Sequence, residues 1–342
     1  MKSEEISFVV QGAIDHSISP LTGEPITKSC LAGLRRFYPG AEVILSTWPN
    51  QNIEGLDYDV VILNDDPGAW NAFREDAGEV KLDNTNRQIV STRAGLRAAS
   101  RKYTAKLRSD IIFQGNGWME YYDRFPRRTR EWRIFKERLI TCSMWARDPW
   151  CPYSRQPLHP PDWIYIGLRE DLLLLWDIEL QPEPESSQWF LARDPAPLPP
   201  PAEPDLRRFS PEQYLWRTLL ARYGPVHFNF RGDISDYNIR LTELSFANNL
   251  IILDLNQFPF VVHKYPLPMN PWYRYYRFLS HREWERLYRH YSCGESVWRA
   301  KAMDPHYYLK RAYIAGCGPW QRIKGLARTI LANRTFPRQQ ST

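Results

Sequence analysis

Ile6–Ile14 reads ISFVVQGAI, an apolar run that closes on a glycine. A strand buried on both faces shows such a run instead of a polar–apolar alternation. Thr22–Tyr38 follows with helical spacing through Ile26, Cys30, Leu31, Leu34 and Phe37, and stops at Pro39-Gly40. Ala41–Thr47 (AEVILST) and Tyr58–Leu63 (YDVVIL) read as two further strands, Asn86–Ser100 as a helix, and Tyr103–Phe113 (YTAKLRSDIIF) as a fourth strand. This alternation predicts an α/β fold with a mostly parallel sheet covered by helices. Ligands of such sheets sit beyond the carboxyl ends of the strands. That rule groups Gln11-Gly12, Ser46-Thr47-Trp48, Asp65-Asp66 and Arg108-Ser109-Asp110 along one rim.

Farther along, Asp162–Gly167 reads as a strand and Arg169–Trp176 as a short helix. Residues 181–205, dense in proline and acid, read as an exposed loop. Ser210-Pro211-Glu212-Gln213 opens a helix, with Ser210 as N-cap and proline in the first turn. A helix is expected near Asp236–Asn248, then strands Leu250–Leu255 and Phe258–His263. These segments suggest one domain over 1–270. Residues 271–342 form a basic, aromatic, helical C-terminal extension.

The 342 residues carry a net charge of +6, unevenly spread. From Pro271 onward there are 14 Lys/Arg against 4 Asp/Glu, so the basicity belongs to the extension. A nucleic-acid enzyme spreads positive charge over its working face, so no nucleic-acid partner is expected. Trp272, Tyr273, Tyr275, Tyr276 and Phe278 interleaved with Arg274 and Arg277 suit peripheral docking on an anionic inner membrane. A basic helical cap packed on the sheet domain would show the same pattern. Five cysteines without CxxC spacing argue for reduced thiols, and no apolar run reaches membrane-span length. With Met1–Glu5 leading straight into a strand, this places the chain in the cytoplasm.

Two segments carry charge where a ligand would need it. Asn84–Gln88 opens a helix with no acid in its first turn, and free N–H groups there attract anions while Arg87 offers a planar fork. On the fourth strand, alternation sets Lys106, Arg108 and Asp110 on one side. Charges on a buried strand must pair or meet a charged ligand. An Arg108–Asp110 salt bridge satisfies the first option.

Gln11-Gly12, Leu45–Trp48, Asn64–Gly68, Asn86–Thr92 and Lys106–Asp110, in that order, resemble the WavE lipopolysaccharide-synthesis family. The resemblance is dense over residues 6–113 and thinner through Asp162-Trp163, Ser210–Gln213 and His263-Lys264. It implies a GT-A-like, Rossmann-type glycosyltransferase. The donor would be a nucleotide sugar and the acceptor a lipopolysaccharide, capsule or other surface glycan, free or lipid-linked. It also implies donor contacts from Gln11, Gly12, Thr47, Asp65, Asp66, Asn86, Arg87, Lys106 and Arg108. Asp110, with His263, would hold Mg2+ or Mn2+. The usual Asp-X-Asp stands here as Arg108-Ser109-Asp110, so Arg108 and Lys106 are the alternative means of neutralising a diphosphate. Glu212 at its helix start is the expected catalytic base, with Asp162 as the other candidate. Glu212 would equally serve the helix dipole. A non-catalytic glycan-binding or assembly subunit is the competing class. A nucleotidyltransferase would need a glycine-rich N-terminal phosphate loop, which the chain lacks.

Overall fold

A computed structural model describes residues 1–73, 80–151, 156–191, 193, 205–264, 277–296, 305–313 and 315–316. They divide into two compact units, Met1–Glu295 and Ser296–Thr342. In the second, residues 305–313 are helical, and the Tyr307 and Tyr308 rings meet edge to face at 5.4 Å. The expected helix at Arg322–Leu331 and the aromatic run from Trp272 to Tyr276 lie outside the described residues. No described helix is long and apolar enough to cross a membrane.

The first unit is built on a seven-stranded sheet. Its strands are β1 (Ile6–Gln11), β2 (Glu42–Thr47), β3 (Val60–Leu63), β6 (Tyr103–Arg108), β8 (Leu139–Cys142), β9 (Ile164–Leu168) and β10 (Leu250–Leu253). Two small ribbons stand apart, β4 (Trp70–Asn71) with β5 (Leu82–Asp83), and β7 (Ile112–Phe113) with β11 (Phe260–Val261). The sheet order is β10-β8-β9-β6-β1-β2-β3, and β9 alone runs antiparallel to its neighbours. The α/β, mostly parallel, Rossmann-type architecture read from the sequence is therefore present.

Three boundaries differ from expectation. Tyr103–Phe113 is two strands, because Ser109 and Asp110 turn the chain and send Ile112–Phe113 to pair with β11. Phe258–His263 contributes only the two residues of β11, outside the main sheet. Residues 181–191 are a run of turns folded onto the body: Gln181, Ser187 and Phe190 are buried, and Phe190 packs with Leu206 in a small satellite core. Except for Arg193, residues 192–204 of that proline-rich segment are not described.

The helices are α1 (Ile26–Phe37), α2 (Thr85–Ala98), α3 (Arg169–Trp176), α4 (Pro211–Leu220), α5 (Asp236–Asn249) and α6 (His281–Leu287). The start of α4 is as its residue types dictate. Ser210 Oγ accepts from the Gln213 amide at 3.3 Å, and Gln213 Oε1 accepts from the Ser210 amide at 3.2 Å. This reciprocal box satisfies two donors that a helix end leaves open. Helix α6 packs on α5 and β10, so the first unit continues past residue 270.

Helix α2 lies close on β1 and β2 because Gly95 has no side chain. A Cβ there would collide with Val9 Cγ1 and stand 3.3 Å from Ser46 Cβ. Helix propensity alone would make Gly95→Ala about 1 kcal/mol stabilising. Overpacking costs about 1–3 kcal/mol and dominates at a backbone–sheet contact. Urea unfolding of Gly95→Ala should therefore show a net loss of stability; a gain would show that α2 can move off the sheet freely.

Candidate functional site

Strand order reverses around β1, which pairs in parallel with β2 on one side and β6 on the other. The register sets Gln11 against both Ser46 and Arg108, so the carboxyl ends of three strands finish together. The Ser109 amide donates to Gln11 O at 3.0 Å, and Ser109 Oγ donates to Ala13 O, tying the two strand ends into one rim. Gly12 turns the chain away at φ 115°, a conformation L-residues seldom adopt. Because β9 is antiparallel, its first residues reach this same edge, and Ile164 pairs with Leu107. Asp162 and Trp163 are thereby delivered to the rim, as are Trp145 and Arg147 after β8.

A cleft of about 780 Å³ opens there. Gln11, Gly12, Arg87, Arg108, Asp110, Asp162 and Glu212 all line it, so seven of the residues picked from the sequence meet in one place. His159, Lys81, Arg147, Arg207 and Arg231 line it too and were not anticipated. Trp145 in the wall and Leu158 beside His159 hold the left-handed backbone region, φ 69° and 56°, uncommon for bulky side chains.

The other expected contacts are placed differently. Lys106 is wholly buried inside the sheet, donates to the Asp162 carbonyl and lies over the Trp176 ring at 4.5 Å. Burial pushes its ammonium down to about 7. Thr47 is likewise buried, with its carbonyl held by Asn64. Asn86 exchanges two hydrogen bonds with the Gln181 backbone, at 3.1 and 2.9 Å. Asp65 is exposed outside the cleft, and His263 bonds to Ser19 at 2.9 Å. The start of α2 borders the cleft through Asn84, Arg87 and Gln88, and its Thr85 amide is taken by Asp83 at 2.8 Å. The fork of Arg87 is filled by Asp66, with contacts of 2.7 and 2.6 Å. Asn86 lies far in sequence from Gln181, His263 from Ser19 and Arg87 from Asp66, so spacing could not reveal these pairings.

Asp110 is gripped by both arms of the Arg108 guanidinium, Nε at 2.9 Å and Nη2 at 2.5 Å. Among the described residues, no three His, Cys, Asp or Glu gather at metal-holding distance. The set expected for Mg2+ or Mn2+, Asp110 with His263, therefore does not fit a divalent ion as arranged, and no step is derived through one.

The second wall is acidic. Asp162 is fully enclosed, and its Oδ2 accepts from Gln88 Nε2 at 2.6 Å. Burial, and next the Glu212 carboxylate, raise it above the usual carboxylate range. Glu212 sits in the first turn of α4, 3.4 Å from His159 Nε2. His159 is buried and its Nδ1 has no hydrogen-bond partner among the described residues. Burial, helped by Arg147, pushes its imidazole down to about 3, so it is neutral near pH 7. The arrangement pairs a carboxyl that resists ionisation with a more open carboxylate, a division of labour suited to moving a proton.

The model of the family described as WavE lipopolysaccharide synthesis matches residues 6–313. The chain belongs to that family. No curated protein matches it in sequence. Among solved structures, one similar fold is 4-diphosphocytidyl-2C-methyl-D-erythritol synthase from Anaerococcus prevotii DSM 20548. It is 11% identical at a TM-score of 0.32, with 56% of this chain and 86% of that chain covered. Another is HddC from Yersinia pseudotuberculosis complexed with GMP-PN, 8% identical at a TM-score of 0.25, with 52% and 80% covered. Neither superposition is close enough to carry an argument. What membership in the WavE family supports is a part in lipopolysaccharide synthesis.

A raised Asp162 binds more protons in the native state than in the unfolded one, so its contribution to stability falls as pH rises above about 4. Asp162→Asn keeps an oxygen for Gln88 and removes that penalty. Its thermal midpoint should match or exceed wild type at neutral pH, with a flatter slope on the acid side. A lower midpoint at pH 7 would mean that the ionised carboxylate is needed by the fold.

Proposed function

We propose that this WavE-family chain is a glycosyltransferase of GT-A type, moving a sugar from a nucleotide-sugar donor to a lipopolysaccharide or related surface-glycan acceptor. The observation that carries the reading is the cleft at the strand-order reversal, with guanidinium-bearing strand ends on one side and the Asp162–Glu212 pair on the other. Open α/β sheets bind nucleotides at such a crevice.

In this reading the donor diphosphate lies along the ends of β1 and β6. Glu212 takes the proton of the acceptor hydroxyl as its oxygen bonds to the anomeric carbon. The bond from that carbon to the diphosphate breaks, its electron pair stays on the phosphate oxygen, and the cleft cations meet the new charge. Asp162, whose carboxyl resists ionisation beside the base, orients the acceptor. His159, neutral and enclosed, holds Glu212 in the turn that presents it.

Turnover of nucleotide sugars, followed as release of nucleoside diphosphate in the presence of glycan acceptors, tests this. Glu212→Gln should lower kcat by about 10²–10⁴-fold, the range for losing a general base, with little change in KM for the donor. EDTA should leave the rate unaltered, since the cations and not a divalent ion neutralise the leaving group. Absence of turnover with every donor would favour a non-catalytic glycan-binding subunit, and full activity in Glu212→Gln would remove Glu212 from the role of base.

A further inference from the structure

Four separated segments of chain are tied together by main-chain bonds at one side of the cleft. The Ala72 amide donates to Lys81 O at 2.8 Å, and the Leu206 amide donates to Ala72 O at 2.7 Å. Phe73 bridges to Asp205, and the Arg231 amide donates to Arg208 O at 2.7 Å. The result is a fixed cluster of Lys81, Arg207 and Arg231 around the carboxylate of Asp205. Arg207 grips Asp205 through Nε at 3.0 Å and Nη2 at 2.7 Å, while Arg231 Nη1 stands 2.6 Å from the same carboxylate. Burial opposes ionisation of Asp205, yet Arg207 and Arg231 hold it well below the usual carboxylate range.

The Asp205 carboxylate thus meets two guanidiniums, and the Lys81 ammonium makes no ion pair or hydrogen bond with a described residue. Its ammonium lies 4.9 Å from the centre of the Phe73 ring. Lys81 is exposed on the cleft wall, and partial desolvation there together with the Arg207 charge disfavours its protonated form. Glu212 and Asp83 act on Arg207 through space only. Cations gathered at a cleft wall around the Asp205 carboxylate are complementary to a multiply charged oxyanion.

We propose that Lys81, Arg207 and Arg231 form a phosphate-binding site beside Glu212. The phosphate belongs either to a phosphorylated sugar acceptor or, in place of the position along β1 and β6 given above, to the donor's diphosphate. The site is independent of whether the chain turns over sugars, because its occupancy is read by binding alone.

The test is calorimetric titration of inorganic pyrophosphate and of glucose 6-phosphate into wild type, Lys81→Gln, Lys81→Arg and Lys28→Gln. Lys28 lies outside the cleft, exposed and paired with Glu24. Loss of one charge-assisted contact should weaken pyrophosphate binding about tenfold or more in Lys81→Gln, whereas Lys81→Arg and Lys28→Gln keep it. The Lys81 ammonium makes no hydrogen bond or ion pair with a described residue, so an unchanged thermal midpoint is expected and confirms that the fold is retained. Lys81-dependent glucose 6-phosphate binding at least as tight as pyrophosphate assigns the site to an acceptor phosphate; dependence for pyrophosphate alone assigns it to the donor. No pyrophosphate binding by wild type, an unaltered affinity in Lys81→Gln, or an equal loss in Lys28→Gln would overturn the proposal.

Discussion

The parallel pairing of β1 with both β2 and β6 is the constraint from which the rest of the molecule follows. It is made by Ile6–Gln11, a strand with every residue buried, flanked by strands almost as apolar. Because both partners run in the same direction as β1, three carboxyl ends finish on one edge, and the hydrogen bonds from Ser109 lock two of them together. Helix α2 can cover this pairing closely only because position 95 is glycine. The antiparallel β9 then carries the preceding Asp162-Trp163 to the same edge. A site is assembled from distant stretches of chain without any of them needing to be long.

Much of the fold was legible in the residues. The buried runs of β1, β2 and β6, the capping box at Ser210 and the α2 pattern each act locally, so their chemistry shows in spacing. The position of Glu212 in a first turn followed from Ser210-Pro211 alone. The strand Leu139–Cys142 was not legible, since three apolar residues and a threonine in an irregular stretch have no period to read. Lys106 was misplaced for a different reason. Alternation puts it on the same face as Arg108, but depth in the sheet decides whether a side chain reaches the rim or meets the covering helix. Asp205, Arg207 and Arg231 were hidden because the first two border a proline-rich stretch that reads as solvent-exposed, and their meeting depends on backbone bonds to residues 72 and 208.

The electrostatics of the cleft sort its residues into settled pairs and open groups. Arg87 is matched with Asp66 and Arg108 with Asp110, each through two arms of the guanidinium. Such bidentate pairs hold geometry and lower the charge available to a ligand. Against them stands the wall of Asp162, Glu212 and His159, where burial raises the Asp162 carboxyl and keeps His159 neutral, while Arg231 adds a second guanidinium to the Arg207–Asp205 pair. Perturbed groups of this kind gather where chemistry or binding is done. The Arg108–Asp110 pair also explains why the motif in this chain reads as a closed ion pair, where a metal-holding version would present two carboxylates.

The central claim is that the rim formed by β1 and β6 receives a nucleotide sugar with Glu212 facing its reacting carbon. A crystal structure of the chain with a bound nucleotide sugar tests this most directly. The account predicts the diphosphate beyond Gln11 and Arg108, with the anomeric carbon turned toward the Glu212 carboxylate. A donor bound away from that edge, or bound there with Glu212 pointing away from the sugar, would contradict it.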